Sequence, residues 1–325
     1  MYSITQLQDL INKQIVEKKY PVTPSELYDP ITYIMSLGGK RMRPVLTLMA
    51  CDMFGGHITA ALEPALAIEL FHNFTLMHDD IMDKAPLRRG QSTVHSKWND
   101  NVAILSGDVM LVEAYKTLVN AVDSAILRDV LTVFNDTAAG VCEGQQTDMN
   151  FELIEDVSIA QYLNMIRLKT AVLLGCSLKI GALIGSAGPE DSEHLYNFGV
   201  NIGIAFQLQD DILDVYGNPE KFGKQVGGDI LSNKKTFLLI KAIELAEDLD
   251  KEELHYWLNV VECDPASKIS SVTAIYDRLG VRQLAEEQMN LHARKSLSEL
   301  DKVSVSAENK QILVDFAGQL LIRET

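Results

Sequence analysis

Leu66-Ala67-Ile68-Glu69-Leu70-Phe71-His72-Asn73-Phe74-Thr75-Leu76-Met77-His78-Asp79-Asp80-Ile81-Met82-Asp83 carries both the period and the chemistry of this chain. Apolar residues at 66, 70, 74 and 77 recur at three and four, which is helical spacing, and the run ends in three carboxylates within one turn. Asp83 would lie beneath both Asp79 and Asp80. The same phrase returns as Asp210-Asp211-Ile212-Leu213-Asp214, 131 positions later (210 − 79), again inside an apolar run. Like charges at this spacing repel, and more so in a cleft, so a cation must offset them. Oxygen-only ligands suit a hard divalent ion; Mg²⁺ in particular is held by one or two carboxylates, waters and the phosphate oxygens of a substrate. The bland alternative is two solvated acidic faces. Duplication of one pattern within apolar helices argues against it.

Outward from these phrases the helical period continues: Ile4, Leu7, Ile11, Ile15; Val130, Val133, Phe134, Thr137; Ile202, Phe206, Leu208, Ile212. Sustained alternation with β-branched residues is missing, so the pattern predicts an all-α protein, a single large helical bundle around a deep central cavity. Glycine and proline breaks leave roughly ten to thirteen helices. No linker or composition shift divides residues 1–325, which predicts one domain.

With 47% hydrophobic and 23% charged residues the composition is that of an ordinary globular protein, and the net charge of −16 disfavours nucleic acid or an anionic membrane as partner. Residues 1–10 show no secretory pattern, and the apolar run near 171–188 is broken by Lys179 and glycines, which predicts no membrane insertion. Cys51, Cys142, Cys176 and Cys263 have no paired spacing, as expected of reduced thiols in a cytoplasmic protein.

A polyanionic substrate needs local cations. Gly38-Gly39-Lys40-Arg41-Met42-Arg43-Pro44 opens a helix after a double-glycine turn, so backbone N–H groups with Lys40 and Arg43 make an anion site; solvated basic residues on a loop are the alternative. Arg88 and Arg89 follow the first Asp phrase and favour bidentate contact with phosphate. His72 is either a satisfied core histidine or a ligand. Lys224 and Lys234 follow the second phrase, and Lys169-Thr170, with Gln145 and Asp148, sit on apolar helices where buried ion pairs would explain them equally well.

Taken in order, 38–44, His-Asp-Asp-Ile-Met-Asp (78–83), Arg-Arg-Gly (88–90), Gly-Gln-Gln-Thr-Asp (144–148), Lys-Thr (169–170), Phe-Gln-Leu-Gln-Asp-Asp-Ile-Leu-Asp (206–214), Gly-Lys (223–224) and Gly-Gly-Asp (227–229) with Lys234 resemble the trans-isoprenyl diphosphate synthases, or polyprenyl synthetases. The resemblance implies a head-to-tail prenyltransferase, usually a homodimer, that condenses isopentenyl diphosphate with an allylic diphosphate. It implies three Mg²⁺ per site, held by Asp79, Asp80 and Asp83 on one side and by Asp210, Asp211 and Asp214 on the other. Arg88 would contact the allylic diphosphate; Lys40, Arg43, His72 and Arg89 the isopentenyl diphosphate; Lys169, Thr170, Gln207, Lys224 and Lys234 the leaving group and the developing cation. The family's product grows below the first Asp phrase, so Phe71, Phe74 and Thr75 would set its length. Phe74 lies roughly 7 Å and Phe71 roughly 12 Å down the helix from Asp79. Phe74 would block long products, with an ordinary core phenylalanine as the alternative, and the two-residue gap between Asp80 and Asp83 is similar to that of the short-chain geranylgeranyl type, which predicts mainly a twenty-carbon product with fifteen carbons the close rival. A class I terpene cyclase or a non-catalytic helical subunit would share the fold. The isopentenyl site and the two intact Asp phrases argue against each.

Overall fold

The computed structural model describes residues 2–217 and 226–321. The chain is all-α, as the periodicity predicts. Among the described residues there are sixteen α-helices, two of them single four-residue turns. Helices α8 (Ile159–Ile166) and α9 (Val172–Ile184) are joined through a π-helical turn, Arg167–Ala171, into one rod. The departure is a hairpin of two-residue strands, β1 (Leu87–Arg88) and β2 (Gln91–Ser92), paired antiparallel. Strands that short carry no readable alternation. Among the described residues no helix is long and apolar enough to cross a membrane.

The chain divides into two compact units. The first comprises Met1–Asn135, Cys176–Tyr196 and Val303–Ile312. Its centre is α4 (Ile58–Met82), buried at Ala61, Ala65, Leu66, Ala67, Ile68, Leu70 and Phe71, and so apolar on nearly every face. A helix of that kind is stable only when surrounded. Helices α3 (Met42–Met53) and α6 (Asp100–Ala121) pack on it, with α1 (Ile4–Glu17) beside them. A capping box, Ser3 with Gln6, closes the free N–H groups at the start of α1.

The second unit comprises Asp136–Gly175, Asn197–Lys302 and Leu313–Thr325. Within it the 197–216 part of α10 (Pro189–Tyr216) meets the 159–175 part of the rod through small residues. A Cβ on Gly203 would sit 2.7 Å from the Ala171 Cα, so only glycine permits that approach. The rod starts at a second capping box, Ser158 with Gln161.

Candidate active site

In the first unit the chemistry gathers where α4 ends. Gly38 and Gly39 adopt φ of +75° and +127°, which explains the double glycine, and Arg41 follows in the left-handed region at φ 49°. The Arg41 side chain is buried. Its Nη1 donates to Glu69 Oε1 at 2.6 Å and its Nη2 to the Met35 carbonyl at 2.6 Å. This pair fixes the turn between Lys40 and Arg43. Arg43 Nη1 then donates to His72 Nε2 at 3.1 Å, while the buried Arg43 Nε has no hydrogen-bond partner. Burial, followed by the charge of Arg89, lowers the Arg43 guanidinium to about 10, with Glu69 opposing. Burial, then Arg43, Arg89, Arg88 and Arg41, hold the His72 imidazole neutral, well below its ordinary range. Neutral His72 can therefore accept the Arg43 proton bond without adding a further like charge.

Arg88 and Arg89 arrive on the small hairpin. Arg88 forks onto Asp80, Nε to Oδ2 and Nη2 to Oδ1, both at 2.8 Å. Arg89 donates to the Gly38 carbonyl, and its guanidinium lies where a Cβ on Gly39 would be. Asp80 is buried, Asp79 is half-buried and Asp83, at the C-cap, is exposed. One carboxylate of the phrase is thus bound to arginine, and two stand at the helix end.

Below them Phe74 packs against Phe71, with ring centroids 5.7 Å apart, and Phe71 against Phe134 at 5.2 Å. The Thr75 hydroxyl donates back to the His72 carbonyl at 2.8 Å, which satisfies it within the helix.

In the second unit the buried carboxylate of the phrase is Asp211. Its carboxylate accepts from the Tyr162 hydroxyl and, at 3.3 Å, from Gln207 Nε2. Burial, then Asp229, raise it to about 7 against these donors and Lys234. Gln207 Oε1 in turn accepts from Thr170 Oγ1 at 3.3 Å, so its amide is held at both ends. Asp214 Oδ2 accepts from the Asp229 backbone N–H at 3.0 Å, and the Asp214 carbonyl from that of Gly227 at 2.6 Å. The Gly-Gly-Asp turn is therefore tied to the acidic phrase. Lys234 Nζ lies 3.6 Å from Asp229. Burial works against the Lys234 charge, but Asp229, Asp211, Asp148 and Asp214 together raise its pKa. Lys169, in the π-turn, pairs with Asp148 at 2.6 Å. A Cβ on Gly144 would come within 2.3 Å of the Lys169 backbone nitrogen, so that glycine admits the turn. Lys224 lies outside the described residues. Among the described residues, no three His, Cys, Asp or Glu side chains already converge as a metal cage.

Residues 24–278 match the polyprenyl synthetase family. The chain belongs to that family. It is 35% identical over 316 residues to a short chain isoprenyl diphosphate synthase of Methanothermobacter thermautotrophicus, covering 97% of this chain and 96% of the relative. It is 36% identical to a geranylgeranyl pyrophosphate synthase of Geoglobus acetivorans, with the same coverage. A crystal structure of a geranylgeranyl pyrophosphate synthase superposes with a TM-score of 0.94 at 43% identity, covering 100% of each chain. This polyprenyl synthetase is accordingly an enzyme that transfers prenyl groups, with an all-α fold.

Arg41, Glu69 and Tyr162 escaped the sequence reading of the synthetase as separate participants. Glu69 did leave a signal: a lone carboxylate among Ala67, Ile68, Leu70 and Phe71 requires a partner. Tyr162 left none, because an amphipathic helix contains such tyrosines for packing alone.

Proposed function

We propose that this polyprenyl synthetase condenses isopentenyl diphosphate with an allylic diphosphate, head to tail, and that its main product has twenty carbons, with fifteen as the rival. The observation that carries the proposed reaction is Arg43, bonded to His72 at 3.1 Å with its buried Nε unpaired, in a cluster with Arg41, Arg88 and Arg89 that helps keep His72 neutral. Arg41 and Arg88 are paired with Glu69 and Asp80, but Arg43 and Arg89 still repel, and a buried N–H such as Arg43 Nε left unpaired costs about 1–3 kcal/mol. A diphosphate relieves the repulsion. Lys40, Arg43, His72 and Arg89 would receive isopentenyl diphosphate, and Arg88 the allylic diphosphate.

The donor set fits Mg²⁺. Asp79 and Asp83 are four residues apart, as are Asp210 and Asp214, which places each pair on one helix face. Such an ion keeps waters and takes phosphate oxygens, so it needs only one or two carboxylates and no complete protein cage. Bound Mg²⁺, three ions by family likeness, would neutralise the charge that builds on the departing diphosphate. Asp80 and Asp211 are each engaged by a neighbouring side chain, and we assign them to holding Arg88 and Gln207 in place.

Lys169 and Lys234, with Lys224, add fixed positive charge for the leaving group. The Gln207 amide, oriented by Thr170 and Asp211, turns its carbonyl dipole to a developing allylic cation, together with the Thr170 carbonyl. Buried apolar side chains exclude the water that would quench that cation. Phe74, 8% exposed and braced by Phe71, stops chain growth. We further propose that the two compact units act as one functional domain, that the protein is cytoplasmic, in keeping with four free cysteines, and that it is a homodimer. Leu105, Val112 and Val119 support the last point. They are 58%, 55% and 49% exposed at seven-residue spacing along α6.

Incubation with Mg²⁺, isopentenyl diphosphate and each of dimethylallyl, geranyl and farnesyl diphosphate tests the reaction. Linear products extended by five-carbon units are expected. Cyclised hydrocarbon, or phosphate release without extension, would overturn the assignment. In the same assay Phe74→Ala should give longer products than the unmodified protein.

A further inference from the structure

Phe74 is gripped from two sides. Phe71 stands on one side, tilted at 50°, and is itself anchored through Phe134, whose ring meets Tyr115 edge-on at 5.1 Å. On the other side, one turn up α4, the His78 imidazole meets the Phe74 ring edge-to-face at 4.8 Å and 67°. His78 is not free to turn. Its Nε2 donates to the Ile104 carbonyl on α6 at 3.1 Å, and its ring occupies the space above Gly107. A Cβ at residue 107 would lie 2.3 Å from Nε2 and 2.6 Å from Cδ2, so any other residue there would displace the imidazole.

We propose that His78 is a positioning residue for product length: bolted to α6 at Ile104 over Gly107, it locks the Phe74 ring across the path of the growing chain. The inference rests on the reading of Phe74 as the stop. It explains why a glycine sits in the interior of α6, where helix propensity disfavours it. A core ring held by packing alone can swing to another rotamer when a long apolar product presses on it. With Phe71 fixed by the core, the release of Phe74 depends on the His78 side.

The test compares product lengths, at equal isopentenyl diphosphate consumption, for the unmodified synthetase and for H78A, G107A, F74A and F74A/H78A. H78A and G107A should each raise the ratio of over-length to normal product, by about two- to tenfold, the range that loss of one edge-to-face aromatic pair supplies. F74A/H78A should make products no longer than F74A alone, because the lock has nothing left to hold. A merely structural role for His78 would not produce that dependence. Longer products from F74A with unchanged or shorter products from H78A would sink the lock while leaving the stop intact. Additive lengthening in the double variant would sink it equally. Unchanged products from F74A would sink the stop and the lock together. H78Q, which keeps a donor for Ile104 without offering a ring edge, gives the same reading if H78A does not fold.

Discussion

Replacing Glu69 by methionine should be the most damaging single change of similar size in the first unit. The Arg41 and Glu69 side chains are each only 3% exposed, with 2.6 Å between Nη1 and Oε1. After E69M the guanidinium remains buried, with the Met35 carbonyl at 2.6 Å and a long 3.4 Å contact to Asn12 Oδ1 as its acceptors. Asn73 Nδ2 also loses its 3.0 Å bond to Glu69 Oε1, keeping the one to the Glu69 carbonyl. Stranding one member of a buried ion pair costs about 3–5 kcal/mol. R41M strands the carboxylate and should cost a similar amount. R41M/E69M removes both charges of the pair and leaves neutral groups short of a partner, chiefly the Met35 carbonyl, with the weak Asn12 contact and one Asn73 bond also lost, so it should cost about 1–3 kcal/mol. The coupling between the sites is then at least about 3 kcal/mol, more than a hundredfold in the folding equilibrium. The chain has two tryptophans, Trp98 in the first unit and Trp257 in the second. In a Trp257→Phe background, denaturant unfolding followed by fluorescence reports on the first unit. A cost for E69M below about 1 kcal/mol, or a double variant equal to the sum of the singles, would refute the argument.

Asp210→Ala should lower kcat by about a hundredfold or more while leaving the denaturant midpoint nearly unchanged; a rate within tenfold of the parent would remove Asp210 from the machinery. Arg88→Lys cannot fork onto Asp80 and should destabilise the first unit by about 1–2 kcal/mol, read by the same fluorescence assay; an unchanged midpoint would show the fork to be incidental. His292 donates to Asn201 Oδ1 at 3.0 Å, and burial, then Lys295, lower its pKa from 6.5 to about 4. Below pH 6.5 the unfolded chain takes up a proton that the folded chain refuses, so this site costs stability progressively as pH falls towards 4. His292→Gln should escape that loss. The stability gap between parent and variant should therefore narrow from neutral pH to pH 4, and a constant gap would refute the reasoning.

The helices were legible because their period is local: 66, 70, 74 and 77 announce α4 without reference to anything distant. The acidic phrases were legible because carboxylates crowded into one turn repel one another wherever they are placed. Which partners Asp80 and Asp211 take was not legible. Asp80 takes Arg88 from a hairpin too short to read, and Asp211 takes Tyr162, 49 positions earlier in the chain. The buried Arg41–Glu69 pair was half legible, since a charge inside an apolar run demands a partner without saying which. The π-turn left no trace, because a single widened turn disturbs the apolar period no more than ordinary scatter does.

That turn has a consequence for how the chain can vary. The Val172 N–H reaches back five residues to the Arg167 carbonyl, so Arg167–Ala171 holds one residue more than an α-helical turn would. The surplus residue bulges outward and lets Lys169 reach Asp148 while Thr170 reaches Gln207. Deleting one residue here would restore an unbroken α-helix whose flanking faces keep their register, because the bulge already absorbs the mismatch. The scaffold would survive the deletion, and the Lys169–Asp148 and Thr170–Gln207 contacts would not. On the proposed roles of Lys169 and Thr170, the length of one turn separates folding from function, so a lineage could abandon the reaction here and keep the protein.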